Sequence, residues 1–283
     1  MKKLFIAASA IALLATPALA TDDVANLQIN VNTRQAGELL VRNVGANALL
    51  SGGATAIGNN LSAATGTISS VPASTGGTLA DVRLVTGQLN MNTEQFAKVD
   101  VRNAAIDRAD LGATAVGNNA NVESLHGNIS DGWYNDIVPV VGSFDGGLNL
   151  QANVNTAQRA FLEVRDTSIA GTADLVSAAV GSNFSATAAK NNTVLSGQLN
   201  YQTTQVANLL IENVGIGGVS DVASQSIGNL LVLNGDATDG INLQGNLSTS
   251  QFATTSLINS NFGANISATA TAVGNAATIR SGF

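Results

Sequence analysis

The sequence predicts an all-β fold, a repetitive β-solenoid of stacked strand-turn-strand layers with about five repeats of two half-units each. Three observations predict it. A glutamine recurs as Gln35, Gln95, Gln158, Gln205 and Gln251, and a glycine follows each after 22 or 23 residues, at Gly58, Gly117, Gly181, Gly228 and Gly274. After each Gln, apolar or small residues fall at even offsets, the period of a strand with one buried face. Finally, charged residues are 11% and aromatics 4% of the chain, whereas hydrophobic residues, many of them Ala and Val, reach 45%. That is too little bulk for an ordinary globular core and too much apolar content for disorder, so the core is thin and made by stacking small side chains.

Ahead of the repeats, residues 1–20 read as a secretion signal. Lys2 and Lys3 form a short basic region, Leu4 to Leu14 is an apolar run too short to span a bilayer, and Ala18-Leu19-Ala20 supplies the small residues of a cleavage site before Thr21. The expected location is therefore secreted, extracellular or on a bacterial cell surface. Removing the two lysines leaves 10 basic against 19 acidic residues, which argues against nucleic acid as a partner. The absence of cysteine excludes a disulfide framework and a lipid-anchored amino terminus. No second long apolar run predicts a transmembrane helix.

The first half-unit begins at Asn30, Asn90, Asn153, Asn200 and Asn246, five residues before each Gln. Two residues after the Gln come Gly37, Ala97, Ala160, Ala207 and Ala253. Four after come Leu39, Val99, Leu162, Leu209 and Thr255, and six after Val41, Val101, Val164, Ile211 and Leu257. This is a strand, and it ends eight residues on at Asn43, Asn103, Asp166, Asn213 and Asn259, residues that suit a turn. The second half-unit reads strand, turn, strand: Ala54-Thr55-Ala56-Ile57 leads into Gly58-Asn59-Asn60, and Ala113-Thr114-Ala115-Val116 into Gly117-Asn118-Asn119. Gly and Asn adopt positive φ most readily, which places the turn at the glycine.

Successive glutamines are 60, 63, 47 and 46 residues apart. The bare unit is therefore about 46 residues, and the longer intervals carry loop insertions at 65–84 and 126–146, rich in Gly, Ser, Pro and Asp. The remainder, 21–283, reads as one repeat domain. Stacked units bring equivalent residues above one another, so Gln35, Gln95, Gln158, Gln205 and Gln251, with Asn43, Asn103, Asn213 and Asn259, are expected to form side-chain amide ladders. A ladder satisfies an interior amide that would otherwise cost about 1–3 kcal/mol.

These residues resemble the curlin family of bacterial fibre subunits and the curlin-related subunits of holdfast attachment. Gln35-Ala36-Gly37 matches the family's Gln-x-Gly, and Gly58-Asn59-Asn60-Leu61-Ser62-Ala63 resembles its Gly-x-x-Asn-x-Ala. The resemblance implies self-association into fibres, functional amyloid in an attachment or biofilm matrix, and a partner in outer-membrane export or anchoring.

Enzyme chemistry has little to stand on. The single histidine, His126, has no Ser, Cys or Glu arrangement around it in sequence. Asp131, Asp136 and Asp145, or Asp236 and Asp239, lack the alternating spacing of a calcium loop and read as solvated loop residues. No cofactor and no metal site are expected. Trp133-Tyr134, in the second inserted loop, either stacks on a sugar ring or caps the loop against the domain. The expectation is thus a structural protein, a fibre subunit or surface adhesin. The alternative is a monomer that binds a polysaccharide or cell surface through its loops.

Overall fold

A computed structural model describes residues 24–64, 84–125, 146–188, 193–235 and 239–280. Five repeats follow one another. The first holds β1 (Val24–Val31), β2 (Arg34–Arg42) and β3 (Gly45–Ala64); the second holds β4 (Leu84–Met91), β5 (Glu94–Arg102) and β6 (Ala105–Leu125). The third comprises β7 (Gly146–Val154), β8 (Ala157–Arg165), β9 (Ser168–Ile169) and β10 (Ala173–Ala188). The fourth comprises β11 (Thr193–Tyr201), β12 (Thr204–Glu212), β13 (Gly215–Ile216) and β14 (Ser220–Gly235). The fifth comprises β15 (Asp239–Leu247), β16 (Ser250–Ile258), β17 (Asn261–Phe262) and β18 (Ile266–Arg280).

The strands form three parallel sheets. The first is β1-β4-β7-β11-β15, the second β2-β5-β8-β12-β16, and the third an eight-stranded sheet whose path runs from β17 through β13, β9, β6, β10 and β14 to β18, with β3 on β6. Both ends of that path come from the fifth repeat, because the short strands β9, β13 and β17 continue from the start of β6 while β10, β14 and β18 continue from the rest of it. Pairing is in register from repeat to repeat: Gln28 lies beside Gln88, Gln35 beside Gln95, and Gln158 beside Gln205.

The all-β class agrees with the sequence, but the stacked β-solenoid of strand-turn-strand half-units does not. The strands are long and lie in continuous parallel sheets, and the chain does not turn back at Gly-Asn. β3 runs unbroken for 20 residues through Gly58 and β6 for 21 residues through Gly117.

What does turn the chain is a single left-handed residue at each of two corners per repeat. Asn32, Asn92, Asn155, Gln202 and Ser248 stand between the first and second strands, with φ of 51 to 54°. Asn43, Asn103, Asp166, Asn213 and Asn259 stand after the second strand, with φ of 48 to 54°. Asn and Asp accept this conformation because their short polar side chains bond locally.

The interior has two compartments. Between the second and third sheets, Ala97, Val99, Val101, Leu162, Val164, Leu209 and Ile211 meet Leu111, Ala113, Leu175 and Val222, all 0 or 1% exposed. β12 shows the strict alternation of one buried face that its sequence predicts. Beyond the glycines of the third sheet the interior holds buried amides beside a smaller apolar cluster of Ala120, Phe184, Ala186, Leu231 and Leu233.

Candidate functional site: amide columns and open sheet edges

Parallel in-register pairing puts like residues next to each other, and a primary amide both donates and accepts, so a stacked amide bonds its own kind. Gln95 Nε2 donates to Gln35 Oε1 at 2.9 Å, Gln158 to Gln95 and Gln205 to Gln158 at 2.8 Å, and Gln251 to Gln205 at 3.0 Å. The second N–H of each goes to the hydroxyl of the Thr two residues earlier, as from Gln95 to Thr93 at 3.1 Å and from Gln205 to Thr203 at 3.0 Å. Gln95, Gln158 and Gln205 are completely buried, so every bond replaces one that water would have made.

Sequence reasoning missed a second glutamine column seven residues earlier: Gln28, Gln88, Gln151, Gln198 and Gln244. Gln88 donates to Gln28 at 3.1 Å, Gln151 to Gln88 and Gln198 to Gln151 at 2.9 Å, and Gln244 to Gln198 at 2.8 Å. Its other N–H bonds reach across to the third sheet, where Gln88 meets the Asn119 carbonyl at 2.8 Å. The signal was present, a Gln-x-Asn at constant distance before the recognised Gln. Asn30, Asn90, Asn153, Asn200 and Asn246, read only as the start of the repeat, form a third column with spacings of 2.9 to 3.2 Å. A fourth joins Asn59 to Asn118 and Asn229 to Asn275, both at 2.9 Å, with Ser182 standing in between.

The columns have a direction. In both glutamine columns the later repeat donates to the earlier; in both asparagine columns the earlier donates to the later.

Two sets of predicted residues have other roles. Gly58, Gly117, Gly181, Gly228 and Gly274 lie inside β3, β6, β10, β14 and β18, not in turns. Each marks a bend where the strand shifts its side-chain phase by one: Ala115 and Asn118, three residues apart, both point inward and are buried. The regular pairing passes over the glycine, and its carbonyl accepts from an asparagine amide instead, at 2.6 Å from Asn90 to Gly117 and 2.7 Å from Asn200 to Gly228. A Cβ on Gly117 would collide with the Gly181 carbonyl oxygen, and one on Gly181 with that of Gly228. The residue is glycine for close approach of neighbouring strands. Asn43, Asn103, Asn213 and Asn259 are the exposed corner residues described above, not a continuous ladder. Within that row the side-chain bond is the one from Asn213 Nδ2 to Asp166 at 3.0 Å.

One interior row lacks ladder chemistry. Where Thr86, Asn149 and Ser196 follow one another, Asn149 Nδ2 reaches the Ser196 hydroxyl only at 3.4 Å, and Thr86 Oγ1 and Asn149 Oδ1 have no partner. Mixed side-chain lengths break the stacking that identical ones allow.

The outer face of the second sheet carries a charge network. The buried Asp100 accepts from Arg102 at 2.7 Å and lies 3.6 Å from Arg42 and 3.8 Å from Lys98. Burial acts to raise the Asp100 carboxyl, but the Arg102 hydrogen bond and the charges of Arg102, Lys98 and Arg42 outweigh it and hold the pKa below the ordinary carboxylate range. Glu163 and Glu212 continue the network through Arg165.

Among the described residues, the end strands are unpaired on one side. The column Val101, Val164, Ile211 is fully buried, whereas Leu257, the same position in the fifth repeat, is 38% exposed. Eleven of the thirteen exposed large hydrophobic residues among those described lie in the first or fifth repeat, including Leu27, Ile29, Leu243, Leu247 and Phe252. The described strands contain no proline, since the three prolines are residues 17, 72 and 139, and β16 carries no charge at all. Proline and charge are usual means of blocking a sheet edge; proline is absent from every described edge strand and charge from β1, β3 and β16, whereas β2 carries Arg34, Glu38 and Arg42.

The signal-like segment, most of both inserted loops, His126, Trp133, Tyr134, Asp131, Asp136, Asp145 and Asp236 lie outside the described residues. Among the described residues, no group of three His, Cys, Asp or Glu is placed to hold a metal ion. Comparison with protein-family models, curated protein sequences and solved structures returned no match.

Proposed function

We propose that the chain is a secreted structural protein that self-associates through its sheet edges, as a curlin-like fibre subunit or a cell-surface adhesin of an attachment or biofilm matrix. The observation that carries this reading is the pair of open ends. Among the described residues, three parallel sheets end on both sides in strands with one unpaired edge, above a half-covered apolar core and amide columns that another copy can extend. Backbone N–H and C=O groups on such an edge recruit another strand, and an Asn or Gln column extends into whatever copy arrives. The Gln-x-Gly and Gly-Asn residues that resemble curlins support the same reading, as does the export-like amino terminus, which goes with an outer-membrane export or anchoring partner. The repeated interior positions hold Gln, Asn, Thr and aliphatic residues, a set suited to stacking and not to acid–base chemistry.

The test is assembly of the full chain, purified from denaturant, followed by thioflavin fluorescence and electron microscopy across concentration, with and without preformed seeds. Concentration-dependent, seedable growth of long fibres is the expected outcome. A β-rich monomer that stays monomeric at every concentration and ignores seeds would overturn the reading and leave polysaccharide binding through the loops.

A further inference from the structure

We infer that association is one-way: the fifth-repeat edge of one copy (β15, β16 and β18) accepts the first-repeat edge of a second copy (β1, β2 and β3), in continued register. Gln28 then follows Gln244, Asn30 follows Asn246, Gln35 follows Gln251, and Gly58 follows Gly274. This rests on the self-association reading and adds to it the geometry and the residues that decide it.

The first argument is the direction of the amide columns. Glutamine columns donate toward the first repeat, so Gln251 and Gln244 each present a free Oε1 at the fifth-repeat edge. Gln35 spends one N–H on Thr33 at 3.0 Å and Gln28 one on the Asn60 carbonyl at 2.7 Å, so each keeps a second N–H for the opposite edge. Asparagine columns run the other way: Asn275 ends as a donor, Asn246 ends with an N–H shared with Asn275 as that of Asn90 is shared between Asn118 and Asn153, and Asn30 and Asn59 begin as acceptors. At all four columns a fifth-repeat edge meets a first-repeat edge as donor to acceptor. Two like edges would set acceptor against acceptor and donor against donor, and unpaired buried amides are costly.

The second argument is independent. Gly58, Gly117, Gly181 and Gly228 are each required because a Cβ would strike the carbonyl oxygen of the glycine in the next repeat. Gly274 has no next repeat. A Cβ there would meet only the flexible Asn246 amide, at 3.3 Å. The space above Gly274 has the shape that the other four fill, and a second copy's Gly58 carbonyl fits it.

The test uses two full-chain variants that block opposite edges. Gly274→Ala fills the space at the fifth-repeat edge and leaves the first-repeat edge intact. Gln35→Glu still accepts from Gln95, but it loses the outward N–H and turns a carboxylate toward the incoming Gln251 oxygen. Each variant is expected to keep the wild-type circular dichroism and melting curve and to lose seeded elongation. Mixed at equal concentrations, the two should shift from monomer to a one-to-one dimer in analytical ultracentrifugation and go no further, since one good edge remains on each. Elongation of either variant alone at the wild-type rate, or a mixture that stays monomeric, would overturn the one-way junction while wild-type fibres keep the proposed function standing. A Gly274→Ala chain that fails to fold would also overturn it, because the space above that residue would not be free. Wild-type chain that never assembles removes the reading beneath it.

Discussion

Gln158 shows how an amide can be placed at the centre of a protein without penalty. It donates to Gln95 and to Thr156 and accepts from Gln205, all within 2.8 to 3.0 Å, so no polar atom of the side chain is left bare. Gln158→Ala therefore strands a donor on one neighbour and an acceptor on the other. The expected loss is about 1–3 kcal/mol for each stranded group, read as a lower urea midpoint, with a much smaller effect for Gln251→Ala at the open edge. This column is legible in the sequence because the identity of the residue never changes. The asparagines eight residues further on are not legible in the same way. Asn serves both ladders and left-handed corners, and the Asp at position 166 is the clue that conformation, not stacking, governs that row: a corner tolerates Asp, whereas a carboxylate cannot donate to the next member of a ladder. Gln28 and its equivalents were equally periodic, and they escaped notice because they precede the Asn taken as the start of the unit.

At the scale of the strand, β5 combines the legible and the hidden. Its inner face, Gln95, Ala97, Val99 and Val101, follows directly from period two. Its outer face buries Asp100 between Lys98 and Arg102 of the same strand and beside Arg42, which only the register of β2 against β5 brings there. The folded carboxyl titrates below its unfolded value of about 3.9, so its contribution is present above that pH and is lost as pH falls through the lower folded value. Asp100→Asn is expected to cost about 1–3 kcal/mol at neutral pH, with the gap to wild type closing as the pH drops below about 4 in paired denaturation curves. The long strands of the third sheet were the least readable elements. Gly-Asn is the usual mark of a turn, but in β3 and β6 the glycine admits a neighbouring carbonyl and the asparagine points inward to a column. Nothing in the local sequence separates the two uses, because the deciding atom belongs to a residue about 60 positions away.

For the molecule as a whole, in-register pairing means that no internal repeat is recognised by anything except its two neighbours, and those neighbours present the same Gln, Asn and Gly positions on both sides. Stability then approximates a sum over adjacent pairs. Excising Arg159 to Gln205, one whole interval between Gln158 and Gln205, joins Gln158 to Val206 and brings β12 into the register that β8 held against β5. The shortened chain is expected to fold into the same three sheets with four strands in each side sheet, to melt at a lower temperature, and to elongate on wild-type seeds. Failure to seed with retained β structure would show that the removed repeat did more than fill the middle. The number of repeats is consequently a dial and not a design constant: a chain longer or shorter by one whole unit would carry the same first and last edges.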